Sequence, residues 1–372
     1  MTPRKILFVV QHRPNRSPGQ RFRFEQYLGY LAQHGFECHY SPVLPTLEAD
    51  KLFYSPGHYL GKARLLVSGL RTRLDNYRRR NDYDIIFIYR EALTVGGPWF
   101  ERLFKKSRAK IVLDFDDSIW IPTVSAANKA LGWLKNADKT KEIIALADLT
   151  IVGNEYLAAY ARQFSARVAI IPTTIDTDVY RPTPKPVGRG SNFGTDYQPV
   201  VEIGWSGSVT TVEHFEHLLP ALKSIQEKYG QRVRFKLIGD KNYQHKALGI
   251  KGLPWRHETE ISDLGTMAIG VMPLPDNGWA RGKCGLKGLQ YMALGIPTIM
   301  SPVGVNGEII RDGENGFLAD TMDEWVAKLS LLIDSPDLRA RVGAAGRQTV
   351  IDHYSFHSQK DVYVQTFNNL LK

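Results

Sequence analysis

The sequence predicts an α/β chain of two doubly wound parallel sheets in tandem. Short β-branched runs alternate with helix-period segments through the first half. A stretch rich in Pro, Gly, Ser and Asn then breaks the alternation, and the same alternation restarts beyond it. At 372 residues the chain is long enough for two domains with separate cores. The bounds that follow are a first domain at 1–182, a linker at 183–199, a second domain at 200–352 and a terminal helix within 353–372.

KILFVV (5–10) reads as the first strand, and RFEQYLGYLAQHG (23–35) as a helix closed by Gly35. FECHYSPV, YDIIFIY (83–89), KIVLDFD (110–116), LTIVGN and RVAIIPT supply further strands, with TKEIIALAD a helix among them. In the second half VVEIGW (200–205), RVRFKLIG, the AIGVM run and PTIMSPV are strands. HFEHLLPALKSIQEKYG, KGLQYMALG, DEWVAKLSLLID and DLRARVGAAGRQTVIDHY are helices. A Gly-containing loop follows the first strand of each half, at Gly19 and at Gly207–Ser208. Neither is a full G-x-G-x-x-G, so a dinucleotide site is weakly supported. Ligands of open α/β sheets sit beyond the carboxyl ends of the strands.

Two cysteines, Cys38 and Cys284, supply neither a disulfide framework nor a metal cluster and fit a reducing compartment. The apolar run near the N-terminus spans five residues, too short for a signal peptide, and no run nears the about 18 residues of a membrane span. A cytoplasmic chain is the expectation. Residues 1–181 hold 27 of the 48 Lys/Arg and 18 of the 38 Asp/Glu, and so carry +9 of the net +10. Such a face suits an anionic partner or simply solvates the surface.

RGKCGLKGLQYMALGIP (281–297) concentrates charge and glycine at a helix start. At about 100° per residue Lys283, Lys287 and Gln290 fall within roughly 60° of one another. Leu286, Leu289, Met292 and Ala293 form a separate apolar stripe. Gly295 suits the C-terminal cap and Pro297 blocks continuation. Lysines at a helix N-terminus oppose the macrodipole unless an anion sits there too. The unpaired N–H groups at Gly285 and Leu286, with Lys283 and Lys287, therefore describe a diphosphate cradle. The alternative is a surface helix with solvated lysines.

These residues carry a resemblance. The second half resembles the retaining GT-B glycosyltransferases of the family 4 type, the glycosyl transferases group 1. That family has a glutamate, seven residues, a second glutamate, then A-M-A-x-G-x-P-V. This chain has Gly282, seven residues, Gln290, then YMALGIPT. SPVGVNGEIIRDGENGFLAD (301–320) is similar to the family's G-x-x-E-x-I-x-D-G-x-N-G-x-L segment, and ALADLTIVGNEYL and VAIIPTTIDTDVYRP resemble its first domain. The resemblance implies two Rossmann-like domains facing across a cleft, a nucleotide-sugar donor held mainly by the second and an acceptor mainly by the first. It also implies a last helix that crosses back to the first domain.

Three departures qualify it. The glutamate pair is replaced by Gly282 and Gln290, although an amide can still bond ribose hydroxyls. The family's Arg and Lys after the first strand of the second domain fall, by spacing, on Ser208 and Glu213. Lys283, Lys287 and Arg281 are then natural substitutes for the missing charge. Third, the family's first-domain strand often ends in a histidine near the reacting sugar, where this one ends in DFDD.

Alternation in KIVLDFDDSIW places Asp114 and Asp116 on one face of a strand end. Three readings stand. The pair could be catalytic, orienting the acceptor hydroxyl or steadying oxocarbenium charge; it could bind Mg²⁺; or it could brace a loop or cap a helix. D-x-D also opens haloacid-dehalogenase phosphatases, but there it stands near a domain start. The resemblance implies no metal and no cofactor. Gly19, Arg21 and Arg23 are candidates for an anion in the cleft or for solvated capping. Asp276 and Asn277, with Arg281, are candidates for donor-sugar hydroxyls; Arg256, Glu258 and Gln290 for the ribose and base. Residues 51–80 interleave aromatics with eight Lys/Arg, which suits anionic lipid headgroups or a solvated helix.

The expectation is a retaining glycosyltransferase that moves a sugar from a nucleoside-diphosphate donor to a glycan or lipid-linked acceptor, in cell-surface polysaccharide or glycoconjugate synthesis at the cytoplasmic membrane face. Nucleic acid is not an expected partner. Two rivals stand: a GT-B nucleotide-sugar epimerase, and a non-catalytic nucleotide-sugar-binding protein.

Overall fold

The computed structural model describes residues 2–122, 128, 132, 134, 136–182 and 200–372. The expected linker at 183–199 lies outside them. The chain divides into two compact units. One comprises 1–173, 282–284 and 359–372; the other comprises 174–281 and 285–358. The division thus falls at 173/174 rather than within 183–199, and three residues from the glycine-rich stretch at 282 group with the first unit.

The first unit is built on a six-stranded parallel sheet. Its strands are β1 (Arg4–His12), β2 (Phe36–Leu44), β3 (Ile85–Tyr89), β4 (Lys110–Phe115), β5 (Leu149–Val152) and β6 (Val168–Ile170), in the order β2-β1-β3-β4-β5-β6. β1 and β3 pair from Ile6↔Ile85 to Val9↔Ile88. The strand order reverses between these two, which makes the outer side of their carboxyl ends a ligand position in this topology. The β-branched runs are buried on both faces: Ile6, Val9, Ile85, Ile88, Val112 and Leu113 are almost fully shielded.

The helix expected over 23–35 is broken in two. Pro18–Arg23 and Leu28–Gln33 are α-helical, separated by the 3₁₀ turn Glu25–Tyr27. The break falls at Phe24, at φ −137° and ψ −27°. Its ring stacks on Phe8 at 5.2 Å in the core, so tertiary packing outweighs helical period there. Where local caps agree with the period, the expected helix forms: Asn154 accepts from the Leu157 amide at 2.9 Å and starts Glu155–Ala161.

The second unit carries a seven-stranded sheet. Its strands are β7 (Val201–Ser206), β8 (Val233–Ile238), β9 (Gln244–His245), β10 (Ile250–Leu253), β11 (Ile269–Met272), β12 (Thr298–Met300) and β13 (Phe317–Leu318). The order is β13-β12-β11-β7-β8-β10-β9, parallel except for β9 against β10. The reversal point lies between β7 and β11. The capping box of Thr321 with Glu324 opens the helix Met322–Asp334, and Ser335 caps Pro336–His353. β9, β10 and β13, of two to four residues, escape a period-based reading because they are too short to show one.

Arg73, on the helix Tyr59–Arg78, is fully shielded from water. Its guanidinium donates to the carbonyls of Val10 at 2.7 Å, Ser41 at 3.0 Å and Ala92 at 2.7 Å. It therefore pins the helix to the ends of β1 and β2. Replacement by an apolar chain leaves three carbonyls without a donor. Arg73→Met should lower stability by about 3 kcal/mol or more, read as a shift of the urea midpoint; an unchanged midpoint would show that water takes over these bonds.

Candidate functional site

At the carboxyl ends of β3 and β4 lies a cluster of opposite charges within the first unit. Asp116 Oδ1 accepts from the Tyr89 hydroxyl at 2.6 Å and from Arg90 Nε at 3.0 Å and Nη2 at 2.6 Å. Asp117 accepts from Arg90 Nη2 at 2.5 Å and from Lys283 Nζ at 2.7 Å. Burial opposes ionisation of Asp117, but Lys283 and Arg90 outweigh it and hold the carboxyl below its ordinary value. Arg90 adopts φ +65°, a left-handed conformation that costs a non-glycine residue about 1 kcal/mol. Its N–H bonds Asp114 O at 2.7 Å, and the turned backbone aims the guanidinium at both carboxylates.

Asp114 does not share this position. It is fully buried and takes a bidentate bond from Arg23, Nε to Oδ1 at 3.1 Å and Nη2 to Oδ2 at 2.7 Å. The expectation that Asp114 faces a ligand is corrected: alternation gives it the same face as Asp116, but one residue pair further into the sheet that face is covered. Arg23 is corrected with it. Far from binding an anion in a cleft, it is 1% exposed and spent on Asp114 and the Ile171 carbonyl. Arg21 is half-buried with its guanidinium 4.8 Å from the Phe22 ring centroid. Gly19 has a packing role, since a Cβ there would overlap the Tyr89 hydroxyl and the Asp116 carboxylate.

The glycine-rich stretch also departs from expectation. The helix runs Leu286–Ala293, with Gly285 at its N-cap at φ +70°. Lys283 precedes it and groups with the first unit, so it does not share a helix face with Lys287 and Gln290. Its charge is met by Asp117. Gly282 has no room for a side chain: a Cβ would overlap Ser118 Oγ and come within 2.9 Å of the Ser118 amide. The Asn154 amide donates to Gly282 O at 3.3 Å and Lys283 O at 3.1 Å, fixing the segment. A glutamate side chain would find no room at this position, against Ser118 and Leu157.

In the second unit several of the expected donor residues lie at the reversal point. Gly207 and Ser208 follow β7, where Ser208 caps a 3₁₀ turn with Thr211. The Tyr291 hydroxyl accepts from the Ser206 amide at 2.7 Å, and Lys287 Nζ lies 5.5 Å from the Trp205 ring centroid, so the end of β7 and the start of the Leu286–Ala293 helix lie together. A Cβ at Gly285 would overlap Ile309, which lets only glycine hold this helix start. Beyond β11, Asn277 accepts from the Ala280 amide at 2.9 Å and caps the turn Gly278–Arg281. Asp276 and Arg281 form an exposed pair at 2.6 and 2.9 Å, which holds the Asp276 carboxyl below its ordinary value.

Gln290 is buried, and its Nε2 donates to Tyr180 Oη at 3.2 Å and Glu260 Oε1 at 3.1 Å. Glu260 also accepts from Tyr180 at 2.7 Å and Trp255 Nε1 at 2.9 Å. The carboxylate in this network is Glu260, while the expected Glu258 and Arg256 are exposed and outside it. Arg90, Tyr89, Glu260 and Asn306 were not legible as site residues. Arg90 could be suspected from its place just past a strand end; Glu260 and Asn306 carry no sequence signal. Asn306 is fully buried, donates to Ser301 O at 3.0 Å, and leaves Oδ1 without a hydrogen bond among the described residues. That oxygen would lie 3.6 Å from a Cβ at Gly285.

Substitutions at two positions read this arrangement. Gly282→Ala should cost about 2–3 kcal/mol by overpacking, seen in thermal or urea unfolding, and Gly282→Glu should prevent folding; normal stability of the alanine variant would contradict the packing. Asp117→Asn should cost about 2 kcal/mol at neutral pH, because it uncovers two partly buried cations. Since the native carboxyl titrates below its ordinary 3.8, the difference from the parent should be full above that pH and fade as pH falls through the lower native value.

Residues 201–335 match the family model described as Glycosyl transferases group 1. A curated relative, glycosyltransferase 1 domain-containing protein 1 of Xenopus tropicalis, is 25% identical over 130 residues, covering 35% of this chain and 37% of that protein. The chain thus spans little more than a third of that relative's length. Among solved structures, sucrose-phosphate synthase of Thermosynechococcus elongatus superposes with a TM-score of 0.72 at 16% identity, over 99% of each chain. The catalytic domain of starch synthase IV from Arabidopsis thaliana, bound to ADP and acarbose, gives 0.70 at 11% identity, over 99% of each chain. HepE of Anabaena, in complex with UDP, gives 0.66 at 14%, covering 98% of this chain and all of that one. At these identities the likeness establishes the fold. With its two Rossmann-like parallel-sheet units the chain has the GT-B fold, and residues 201–335 are similar to the glycosyl transferases group 1.

Proposed function

We propose that the chain is a retaining glycosyltransferase of the family 4 type, moving a sugar from a nucleoside-diphosphate donor to a hydroxyl of a glycan or lipid-linked acceptor, in polysaccharide or glycoconjugate synthesis on the cytoplasmic side of a membrane. The observation that carries it is the reversal point of the second sheet. There Gly207, Ser208, Gly285 and the first turn of the Leu286–Ala293 helix lie at the strand ends beside Lys287. Helix N-terminus and lysine together stabilise the charge that grows on a departing diphosphate, the main electrostatic task of this reaction. Solved relatives in complex with UDP, UDP-glucose and ADP support the donor class. Neither a metal nor a cofactor enters this reading.

Lys287 takes the charge role that spacing denies to Ser208 and Glu213; Lys283 and Arg281 are matched by Asp117 and Asp276. Asp276 and Asn277 remain candidates for sugar hydroxyls at the same strand ends. Asn306 Oδ1 offers an acceptor nearby. On the acceptor side Asp116, held by Tyr89 and Arg90, orients the attacking hydroxyl.

Calorimetric titration with UDP, ADP and GDP, followed by transfer assays on a panel of the corresponding nucleotide sugars, tests the reading. One nucleoside diphosphate should bind, and Lys287→Ala should weaken it roughly tenfold. The product should keep the donor's anomeric configuration. An inverted product overturns the retaining mechanism, an epimerised donor assigns the protein as an epimerase, and binding without turnover assigns it as a binding protein.

A further inference from the structure

The helix Tyr59–Arg78 presents an ordered outer crest. Its buried residues Lys62, Gly69 and Arg73 lie on one side. On a helical projection Leu60, Arg64, Val67, Arg71, Leu74 and Arg78 fall on the opposite side, within about 80° of one another. They alternate apolar and cationic along about 27 Å of axis. All six are exposed: Leu60 is 83%, Val67 47% and Leu74 43% accessible. Arg78 pairs with exposed Asp75 at 2.9 Å, while Arg64 and Arg71 form no ion pair with the described residues. Tyr59, at the head of the helix, is 58% exposed.

We propose that this crest is a docking surface for an anionic lipid bilayer, lying in the headgroup layer parallel to the membrane. Each apolar side chain is flanked by arginines three or four residues away, so the apolar atoms can enter the acyl boundary while the guanidinium groups reach phosphates at its edge. Three arginines on one line, with one acidic neighbour, match a negatively charged surface and fit an uncharged one poorly. A partner helix would call for a continuous apolar seam, but Leu70 and Tyr77, which would complete one, already pack against the core. No helix among the described residues is long and apolar enough to span a membrane, so the contact is peripheral. The assignment rests on this helix alone and stands apart from the donor chemistry.

Flotation of the full chain with vesicles tests it. Vesicles of phosphatidylcholine with phosphatidylglycerol should capture the protein, pure phosphatidylcholine should capture at least tenfold less, and high salt should release it. Arg64→Gln/Arg71→Gln/Arg78→Gln and, separately, Leu60→Ser/Val67→Ser/Leu74→Ser should each lower partition roughly tenfold or more. All six positions are exposed, so both variants should melt like the parent and bind nucleoside diphosphate unchanged. Parental capture of both variants, equal capture by neutral vesicles, or a protein dimer lost in the variants would each overturn the proposal.

Discussion

The Arg23–Asp114 ion pair sits out of reach of water, and much of the first unit is arranged to keep it satisfied. Two charges in such a place are tolerable only when their geometry is good and their remaining groups are bonded. Here the fork of Arg23 meets both oxygens of Asp114 at 2.7 and 3.1 Å and also reaches the Ile171 carbonyl. Its own backbone oxygen accepts from the Tyr363 hydroxyl at 2.7 Å. The first helix, the end of β4, the residue after β6 and the last helix therefore meet at one residue, Arg23. Burial pushes the Asp114 carboxyl up while Arg23 pulls it down, so removal of either partner strands the other. The neighbouring Asp116 and Asp117 are held differently, by Arg90 and Lys283, and their side chains are each 13% exposed.

The fold was legible because burial on both faces of a parallel sheet leaves unbroken β-branched runs, and KILFVV, YDIIFIY and VVEIGW are such runs. The helix Leu286–Ala293 was legible because Gly295, Pro297 and its apolar stripe are local signals. What failed was the assignment of charges. Asp114 and Arg23 lie 91 positions apart, Asp117 and Lys283 lie 166 apart, and nothing local announces either pair. Residues that pair internally read, in sequence, like residues waiting for a ligand. Gln290 shows the same failure on a smaller scale: its amide answers Glu260, two positions from the expected Glu258.

Positive charge in this chain accordingly serves three ends. Arg23 and Arg73 organise the interior, the first bonded to Asp114 and the Ile171 carbonyl, the second to three backbone carbonyls. Arg90, Arg281 and Lys283 set the position of carboxylates near strand ends. Arg64 and Arg71 stand outside the fold's own needs, on the crest of a long helix. The same net excess of cations in residues 1–181 thus mixes structural and surface roles, which a count of charges cannot separate.

The first unit is also discontinuous in sequence, taking residues 282–284 and 359–372 from far beyond its sixth strand. Tyr363, Val364 and Phe367 are buried in it, and Phe367 meets the Phe87 ring edge-on at 6.2 Å. During synthesis the six strands emerge first, yet Asp117 lacks Lys283 until five of the seven strands of the second sheet are made, and Arg23 lacks its Tyr363 contact until all of them are. A chain of this design can collapse early but cannot finish early: the second unit, uninterrupted from 174 to 281, gains its sheet centre while the first still waits.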